Sequence, residues 1–146
     1  MQSDADVYPM PLFVRLAVSD VGTSTAWYEA LGFEVVYSMP VMAHVRYRRY
    51  ADVMLAADET QPGAGAPRAT PRGSGISIYL NVADESVDDV AERAHEAAAE
   101  IAVEPHETPW NTREVTLTDP DGYELVFTEV VDADRSFESV MDSRVD

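Results

Sequence analysis

Two segments of the chain alternate apolar and polar residues with a period of two. They are residues 14–20 and 78–84, and the Asp residues that close them lie 64 positions apart (84 − 20). Such alternation predicts a strand with one face packed on the core. A helix-compatible stretch follows each segment, so the pattern predicts that one strand–helix unit occurs twice.

Two helices are predicted after these strands. The first covers residues 23–31, and Gly32 follows it as the residue type that commonly ends a helix. The second covers residues 86–101, where Ser86 with Asp89 three positions later predicts an N-cap. Apolar residues recur in it at helical spacing: Val87, Val90, Ala91, Ala94, Ala97, Ala98 and Ile101. Strand-like segments follow both helices, which predicts an α+β fold of two βαβββ modules.

A tight turn is predicted at residues 119–122, which read Asp-Pro-Asp-Gly. Pro120 presets φ for a turn, and Gly122 supplies the positive φ that such turns often need. Residues 123–127 then alternate like a strand that leaves a hairpin. The turn therefore predicts the last hairpin of the second module.

Two parts of the chain resemble a known superfamily. Residues 18–35, with the helix end Trp-Tyr-Glu-Ala-Leu-Gly-Phe, and the turn at residues 119–122 resemble the vicinal oxygen chelate superfamily. That superfamily includes glyoxalase I, extradiol dioxygenases, and fosfomycin- and bleomycin-resistance proteins. The resemblance covers residues 10–131 and is closest in style to metal-free bleomycin-resistance-like members. It implies a cup-shaped mixed sheet around a cavity, with the helices on the outside, and a homodimer.

The chain of 146 residues is expected to form a single domain, residues 1–146, that is large enough to bury a core without disulfides. Its two modules are placed at about residues 10–60 and 74–131, with a Pro/Gly-rich linker at residues 61–73. Residues 1–9 are interpreted as a polar leader. Residues 132–146 form an acidic tail with some helical character.

Composition excludes several classes of protein. The formal net charge of −17 argues against nucleic acid and anionic membranes as partners, whereas a cationic small molecule would be attracted. All the basic residues are Arg, and a GC-rich genome or adaptation to salt would also explain the charge. Cysteine is absent, which excludes disulfides and thiol nucleophiles. Without a transmembrane run or a signal peptide, a cytoplasmic location is the default expectation.

The resemblance also implies four metal-ligand positions, where the enzymes of the superfamily carry His and Glu. Here they fall on Phe13, Ser77, Val126 and Met54, with Asp52 as an alternative to Met54. Apolar side chains and one hydroxyl cannot hold a divalent cation, which needs carboxylates, imidazoles or similar donors. We therefore expect no metal and no other cofactor. No catalytic residue is expected, with Glu124 as the acid–base candidate only if the protein is an enzyme.

If the cavity holds no metal, we expect it to be a ligand pocket lined with aromatic residues. Trp110 would stack on a planar ligand while Arg or Glu fixes the ligand's polar edge; the alternative is that Trp110 packs at a dimer seam or in the core. Glu124 is either paired with Arg15 or kept for the ligand, because an inward carboxylate is costly unless it is paired. The predicted ligand-binding residues are Phe13, Arg15, Tyr47, Arg49, Met54, Ser77, Tyr79, Trp110, Glu124 and Val126.

The function that these observations favour is metal-independent binding and sequestration of a small, antibiotic-like molecule that is planar or cationic. The first alternative is a metal-dependent lyase or dioxygenase with relocated ligands. The second is a ligand-sensing or partner-binding module with a vestigial cavity. The sequence contains no nucleophile elbow, phosphate-binding loop or His-Glu-x-x-His motif that would indicate other chemistry.

Overall fold

The computed structural model describes residues 8–57, 75–136 and 138–139. The chain forms two compact units, Met1–Ile76 with Asp119–Tyr123 and Ser77–Thr118 with Glu124–Asp146. The predicted linker at residues 61–73 lies outside the described residues, as do most of the leader and the end of the tail. No helix within the described part is long and apolar enough to cross a membrane.

The first unit contains one βαβββ module. Its elements are β1 (Phe13–Val18), α1 (Val21–Ala30), β2 (Glu34–Met39), β3 (Met42–Arg46) and β4 (Asp52–Ala57). The sheet order is β1-β4-β3-β2, with β1 parallel to β4 and the other neighbours antiparallel. The core lies on one sheet face, where Leu16, Leu55 and Ala43 form a buried cross-strand row. Tyr28 and Leu31 are buried completely in the same unit.

Helix α1 begins two residues earlier than predicted. The Asp20 side chain accepts a hydrogen bond of 2.8 Å from the backbone N–H of Thr23, so Asp20 is the N-cap and Val21 opens the helix. The predicted end is confirmed, because Gly32 follows the helix with φ of 106°. The cap residue that the sequence analysis assigned to the end of the strand therefore belongs to the helix.

The second unit repeats the same order of elements. They are β5 (Ser77–Asn81), α2 (Val87–Glu96), β6 (Glu100–Glu107), β7 (Thr112–Thr118) and β8 (Glu124–Val130). The sheet order is β5-β8-β7-β6, with β5 parallel to β8. The α+β fold of two βαβββ modules, each with a four-stranded mixed sheet, is therefore confirmed.

Helix α2 has the predicted N-cap but is shorter than predicted. Ser86 and Asp89 form a reciprocal capping box, with hydrogen bonds of 3.1 and 3.0 Å. The predicted extension to residue 101 is wrong. Ala98 has a φ of 55°, which ends the helix, and Ile101 pairs with Leu117 in the sheet. Tertiary strand pairing thus overrides the helical preference of the alanine-rich segment.

The turn at residues 119–122 belongs to the first unit and has the predicted geometry. The N–H of Gly122, with φ of 96°, donates to the carbonyl of Asp119 at 2.9 Å. The Asp119 Oδ2 atom accepts from the Tyr28 hydroxyl at 2.7 Å, and the Tyr123 hydroxyl donates to the Ala17 carbonyl at 2.9 Å. Burial raises the pKa of Asp119 above its ordinary value, although its hydrogen bonds act in the opposite direction. The turn is therefore fixed by side chains of the first unit.

Candidate functional site

The face of the first sheet opposite the core row carries both polar and apolar side chains, and we call it the open face of the first sheet. The strand register places Asp52 between Phe13 and Arg46, and Met54 between Arg15 and His44. Of the predicted ligand-binding residues, Phe13, Arg15 and Met54 share this face. Phe13 is 46% exposed, so its ring is accessible within the unit.

A buried hydrogen-bonded network centres on Asp52 in this face. Its Oδ1 atom accepts from Arg46 Nε at 2.7 Å and lies 2.8 Å from His44 Nε2. Its Oδ2 atom accepts from the Tyr8 hydroxyl at 2.6 Å. Burial favours a raised pKa for Asp52, but the hydrogen bonds from Tyr8, Arg46 and His44 outweigh it and hold the pKa below its ordinary value. Asp52 is therefore an internally paired carboxylate.

A recess of about 370 Å³ lies beside this network. Its lining residues are Tyr8, Gly32, Glu34, Arg46, Tyr47, Arg48 and Arg49. The guanidinium groups of Arg46 and Arg49 stack on the Tyr8 ring at 4.3 and 4.6 Å, and that of Arg48 stacks on Tyr47 at 4.3 Å. The predicted residues Tyr47 and Arg49 thus lie together in this recess. Tyr47 is also buried and contacts the Phe33 ring, with ring centroids 5.5 Å apart.

The second sheet also has an open face, on the side opposite its buried row of Leu80, Phe127 and Val115. The predicted residues Ser77, Tyr79, Glu124 and Val126 all lie on it by strand register. Ser77 and Glu124 are cross-strand neighbours, and the Ser77 hydroxyl donates a hydrogen bond to Glu124. The pairing of Glu124 with Arg15 stays a prediction. Tyr79 is exposed and Val126 is buried.

A second buried carboxylate, Glu114, lies on the same open face and is only 5% exposed. Its Oε2 atom accepts from Thr112 Oγ1 at 2.9 Å, Thr128 Oγ1 at 3.1 Å and Trp110 Nε1 at 3.4 Å. All three donors are neutral. Within the described part of the chain, no cationic side chain pairs with Glu114 and no donor reaches its Oε1 atom. We call Trp110, Thr112, Glu114 and Thr128 the Glu114 cluster.

The turn between β6 and β7 positions Trp110 at this cluster. The backbone N–H of Thr108 donates to the Thr112 carbonyl at 2.8 Å, and the two Thr hydroxyls lie 2.7 Å apart. Asn111 adopts a φ of 70°, a left-handed conformation that Asn tolerates better than most residues. Trp110 remains 46% exposed while its indole N–H points to Glu114. The alternative that Trp110 fills the core does not fit this exposure within the second unit.

Trp110 was predicted from the sequence, whereas Glu114, Thr112 and Thr128 were not. A signal for these residues was present in the sequence. The alternation Thr112-x-Glu114-x-Thr116 places a carboxylate between two hydroxyls on one face of a strand. The Asp52 network was missed for a different reason. His44 and Arg46 meet Asp52 only through the pairing of β3 with β4, and a single sequence does not reveal that register.

The residues present do not fit the metal centre that the superfamily's enzymes use. The implied ligand positions carry Phe13, Met54, Ser77 and Val126, and the alternative carboxylate Asp52 already binds Arg46 and His44. Among the described residues, no group of three or more His, Cys, Asp or Glu side chains could hold a metal ion.

Three solved structures show the same fold. TioX from Micromonospora sp. ML1 is 22% identical, with 82% of this chain and 97% of that chain covered and a TM-score of 0.66. A glyoxalase/bleomycin resistance protein/dioxygenase from Nocardioides is 19% identical, with 90% of each chain covered and a TM-score of 0.65. Lactoylglutathione lyase from Agrobacterium tumefaciens is 19% identical, with 83% of this chain and 94% of that chain covered and a TM-score of 0.61.

Identities this low establish the fold alone. A comparison with curated protein sequences finds no match. The family model described as the Glyoxalase/Bleomycin resistance protein/Dioxygenase superfamily matches residues 11–127. Because that match covers most of its length, the chain belongs to this superfamily.

Proposed function

We propose that this protein binds and sequesters a small planar cation, without a metal and without turning the ligand over. The observation that carries the proposal is the Glu114 cluster: a buried carboxylate on three neutral donors beside a half-exposed indole. An amidinium, guanidinium or protonated heteroaromatic group is the ligand chemistry that suits this arrangement.

The electrostatics of Glu114 support a cationic ligand. Burying a carboxylate costs free energy unless it is paired, and hydrogen bonds from neutral hydroxyls offset only part of that cost. Its Oε1 atom accepts no hydrogen bond within the described part of the chain. A ligand cation would supply the missing charge partner through a charge-assisted hydrogen bond.

Trp110 supports the planar part of the proposal. An indole attracts a cation over its face and stacks on flat heteroaromatic rings. Because its N–H is already directed to Glu114 Oε2, the ring has a defined orientation beside the carboxylate. The net charge of −17 adds long-range attraction for cations, although it does not select among them.

A metal-dependent lyase or dioxygenase is the alternative within the superfamily. One structural neighbour bears the name lactoylglutathione lyase, but at 19% identity the likeness concerns the fold. Metal analysis of the purified protein and the effect of a chelator on ligand binding would separate the two functions. A stoichiometric divalent ion that is required for binding would favour the enzyme.

The proposal is tested by a thermal-shift panel of planar cations, with benzamidine as the simplest probe and benzoate as its anionic counterpart. A true ligand at 100 times its Kd should stabilise the protein by about 2.7 kcal/mol. We expect stabilisation by planar cations that is lost in Trp110→Ala and in Glu114→Gln. Equal stabilisation of the wild type and both variants would contradict the proposal.

We also propose that the protein is a homodimer, as is common in the superfamily. One chain has a mass of 16.1 kDa. Light scattering on the purified protein is expected to give twice that mass, and a monomer mass over the micromolar range would refute the dimer.

A further inference from the structure

Three of the six methionines of this chain lie on the open face of the first sheet. Met54 on β4 is opposite His44 on β3, and Met42 precedes His44 by two residues on the same side of β3. Met39 on the edge strand β2 is opposite Met42. The register therefore places thioether side chains around one imidazole, and we call His44, Met42 and Met54 the His–Met cluster.

His44 is 5% exposed, and within the described part of the chain only one of its two ring nitrogens has a hydrogen-bond partner. Its Nε2 atom lies 2.8 Å from Asp52 Oδ1. Asp52 is ionised at neutral pH, because its hydrogen bonds lower its pKa, and a carboxylate accepts but does not donate. Nε2 therefore carries the proton, and in the neutral ring Nδ1 keeps a lone pair. A buried acceptor without a partner costs free energy, which favours a ligand that uses this lone pair.

The strand register puts the Nδ1 atom on the methionine side of the imidazole. The two nitrogens of the ring point in widely different directions, so Nδ1 faces away from Asp52. Asp52 is opposite Arg46, which follows His44 by two residues, whereas Met42 precedes His44 by two residues. Asp52 and Met42 thus lie on opposite sides of His44 along the strand. By this register, the nitrogen that faces away from Asp52 faces toward Met42.

Tyr37 on β2 contacts both kinds of donor in the cluster. Its ring lies edge-on to the His44 ring, with centroids 5.8 Å apart, and its hydroxyl donates a weak hydrogen bond to Met42 Sδ at 3.9 Å. A thioether sulfur has two lone pairs, so this hydrogen bond leaves one of them for another partner. Met42 and Met54 are half-buried and Met39 is 47% exposed, so the sulfur atoms are not sealed in the core.

We propose that the His–Met cluster binds a soft monovalent metal ion, Cu(I), through His44 Nδ1 and the thioethers of Met42 and Met54. Thioethers are soft ligands that select Cu(I), whereas Mg²⁺ and Ca²⁺ prefer oxygen. The hydrogen bond between His44 and Asp52 supports this assignment. A metal-binding histidine usually donates its other ring N–H to a carboxylate or carbonyl, which fixes its tautomer and orientation.

The site differs from the metal centre of the superfamily's enzymes. Of the four positions implied for that divalent ion, the His–Met cluster uses Met54 alone. It also goes beyond the proposed function, because it lies in the first unit and uses neither Trp110 nor Glu114. Binding of a planar cation at Glu114 and binding of Cu(I) at His44 are therefore independent of each other.

The test is an NMR titration of the full chain, isotope-labelled at its methionine methyl groups, with Ag(I) in chloride-free buffer as a redox-inert substitute for Cu(I). We expect the methyl signals of Met42 and Met54 to shift and to stop shifting at one equivalent. Met42→Leu and Met54→Leu assign the two signals, and the methionines outside the open face of the first sheet are internal controls. Zn(II), which prefers nitrogen, oxygen and thiolate ligands, should leave both signals in place.

The affinity for Cu(I) is measured by anaerobic competition with a chromogenic Cu(I) chelator. Met42→Leu/Met54→Leu keeps the side-chain volume but removes two sulfur ligands. It should weaken binding by about 100-fold or more, since loss of a hydrogen bond that supports a ligand already costs about 10- to 100-fold. His44→Gln should also weaken binding. His106→Gln removes an exposed histidine in the second unit and should bind Cu(I) as the wild type does.

Three results would overturn this site: methyl signals of Met42 and Met54 that do not shift, an affinity that Met42→Leu/Met54→Leu does not change, or an equal loss in His106→Gln. If the double variant does not fold, as judged by its thermal transition, the two single leucine variants replace it. Benzamidine binding should persist in all of these variants. Failure of the Cu(I) site therefore remains distinguishable from failure of the cation site.

Discussion

The two sheets have the same order of elements, yet the buried carboxylates on their open faces have different kinds of hydrogen-bond partner. Asp52 in the first sheet is 3% exposed and is held by Arg46, His44 and Tyr8. Glu114 in the second sheet is 5% exposed and has only neutral donors within the described part of the chain. Depth of burial alone therefore does not tell a structural carboxylate from one available to a ligand.

The hydrogen-bond partners of the two carboxylates distinguish a structural role from a ligand-binding role. A carboxylate that is paired inside the protein stabilises a particular arrangement of strands, and removing it takes a hydrogen-bond acceptor away from buried side chains. A carboxylate on neutral hydroxyls keeps part of its charge uncompensated, and a ligand can supply the rest. We therefore propose that Asp52 stabilises the fold of the first sheet and that Glu114 serves ligand binding, and each role can be tested by mutation.

The largest expected effect is on stability, from Asp52→Ala. This change leaves the buried Arg46 and His44 without their shared partner, and breaking a buried pair in this way costs about 3–5 kcal/mol. Urea denaturation would measure the loss. Glu92→Ala, which removes an exposed carboxylate on α2, is the control and should leave the free energy of unfolding nearly unchanged. If Asp52→Ala were as stable as the wild type, the network around Asp52 would not have the structural role proposed for it.

The next effect is on ligand affinity, from Glu114→Gln. An amide keeps an oxygen acceptor for Thr112 and Thr128 but loses the charge, so affinity for a planar cation should fall about 10- to 100-fold, as for a lost hydrogen bond to a charged group. Calorimetry with benzamidine measures the change. Glu100→Gln, at an exposed position of β6, makes the same charge change and should bind normally. An equal loss of affinity in both variants would mean that the effect comes from the net charge of the protein and not from Glu114 itself.

A smaller effect on affinity is expected from Trp110→Ala. Because Trp110 is half-exposed, the fold should remain intact, while loss of stacking should weaken binding about tenfold, or ~1.4 kcal/mol. Trp110→Phe keeps a ring and should retain part of the affinity. Thermal unfolding identifies the alternative, since an unfolded Trp110→Ala variant would make Trp110 a core residue.

The smallest effect is the pH dependence of stability. The folded-state pKa of Asp52 is lowered, so its contribution to stability is present above the unfolded pKa of about 3.9 and is lost as the pH falls through the folded pKa. Between pH 5 and pH 2, the free energy of unfolding should therefore fall less steeply in Asp52→Asn than in the wild type. Parallel curves would mean that Asp52 is not stabilised by its partners.

Much of the fold could be predicted from the sequence because its signals are local. The period-two alternation, the Ser86 cap and the turn at residues 119–122 each depend on neighbours in the chain. The end of α2 could not be predicted, since Ile101 joins the sheet through a partner that is distant in sequence. Local patterns therefore predicted element types better than element ends.

The candidate site was only partly predictable for the same reason. Trp110 was predicted from its residue type. Tyr47 and Arg49 were also predicted, but Tyr8 was not. The guanidinium groups of Arg46 and Arg49 stack on the Tyr8 ring. Glu114 and Asp52 are both acidic residues in strands, and nothing in the sequence separates their roles. Cross-strand register decides which donors each carboxylate meets.

The most direct measurement of the central claim is a calorimetric titration of metal-stripped protein with planar cations, in parallel for the wild type and Glu114→Gln. Our account predicts saturable binding to the wild type without added metal, together with a 10- to 100-fold weaker affinity in the variant. Binding that appears only after a divalent ion is restored, or that is unchanged by Glu114→Gln, would contradict it.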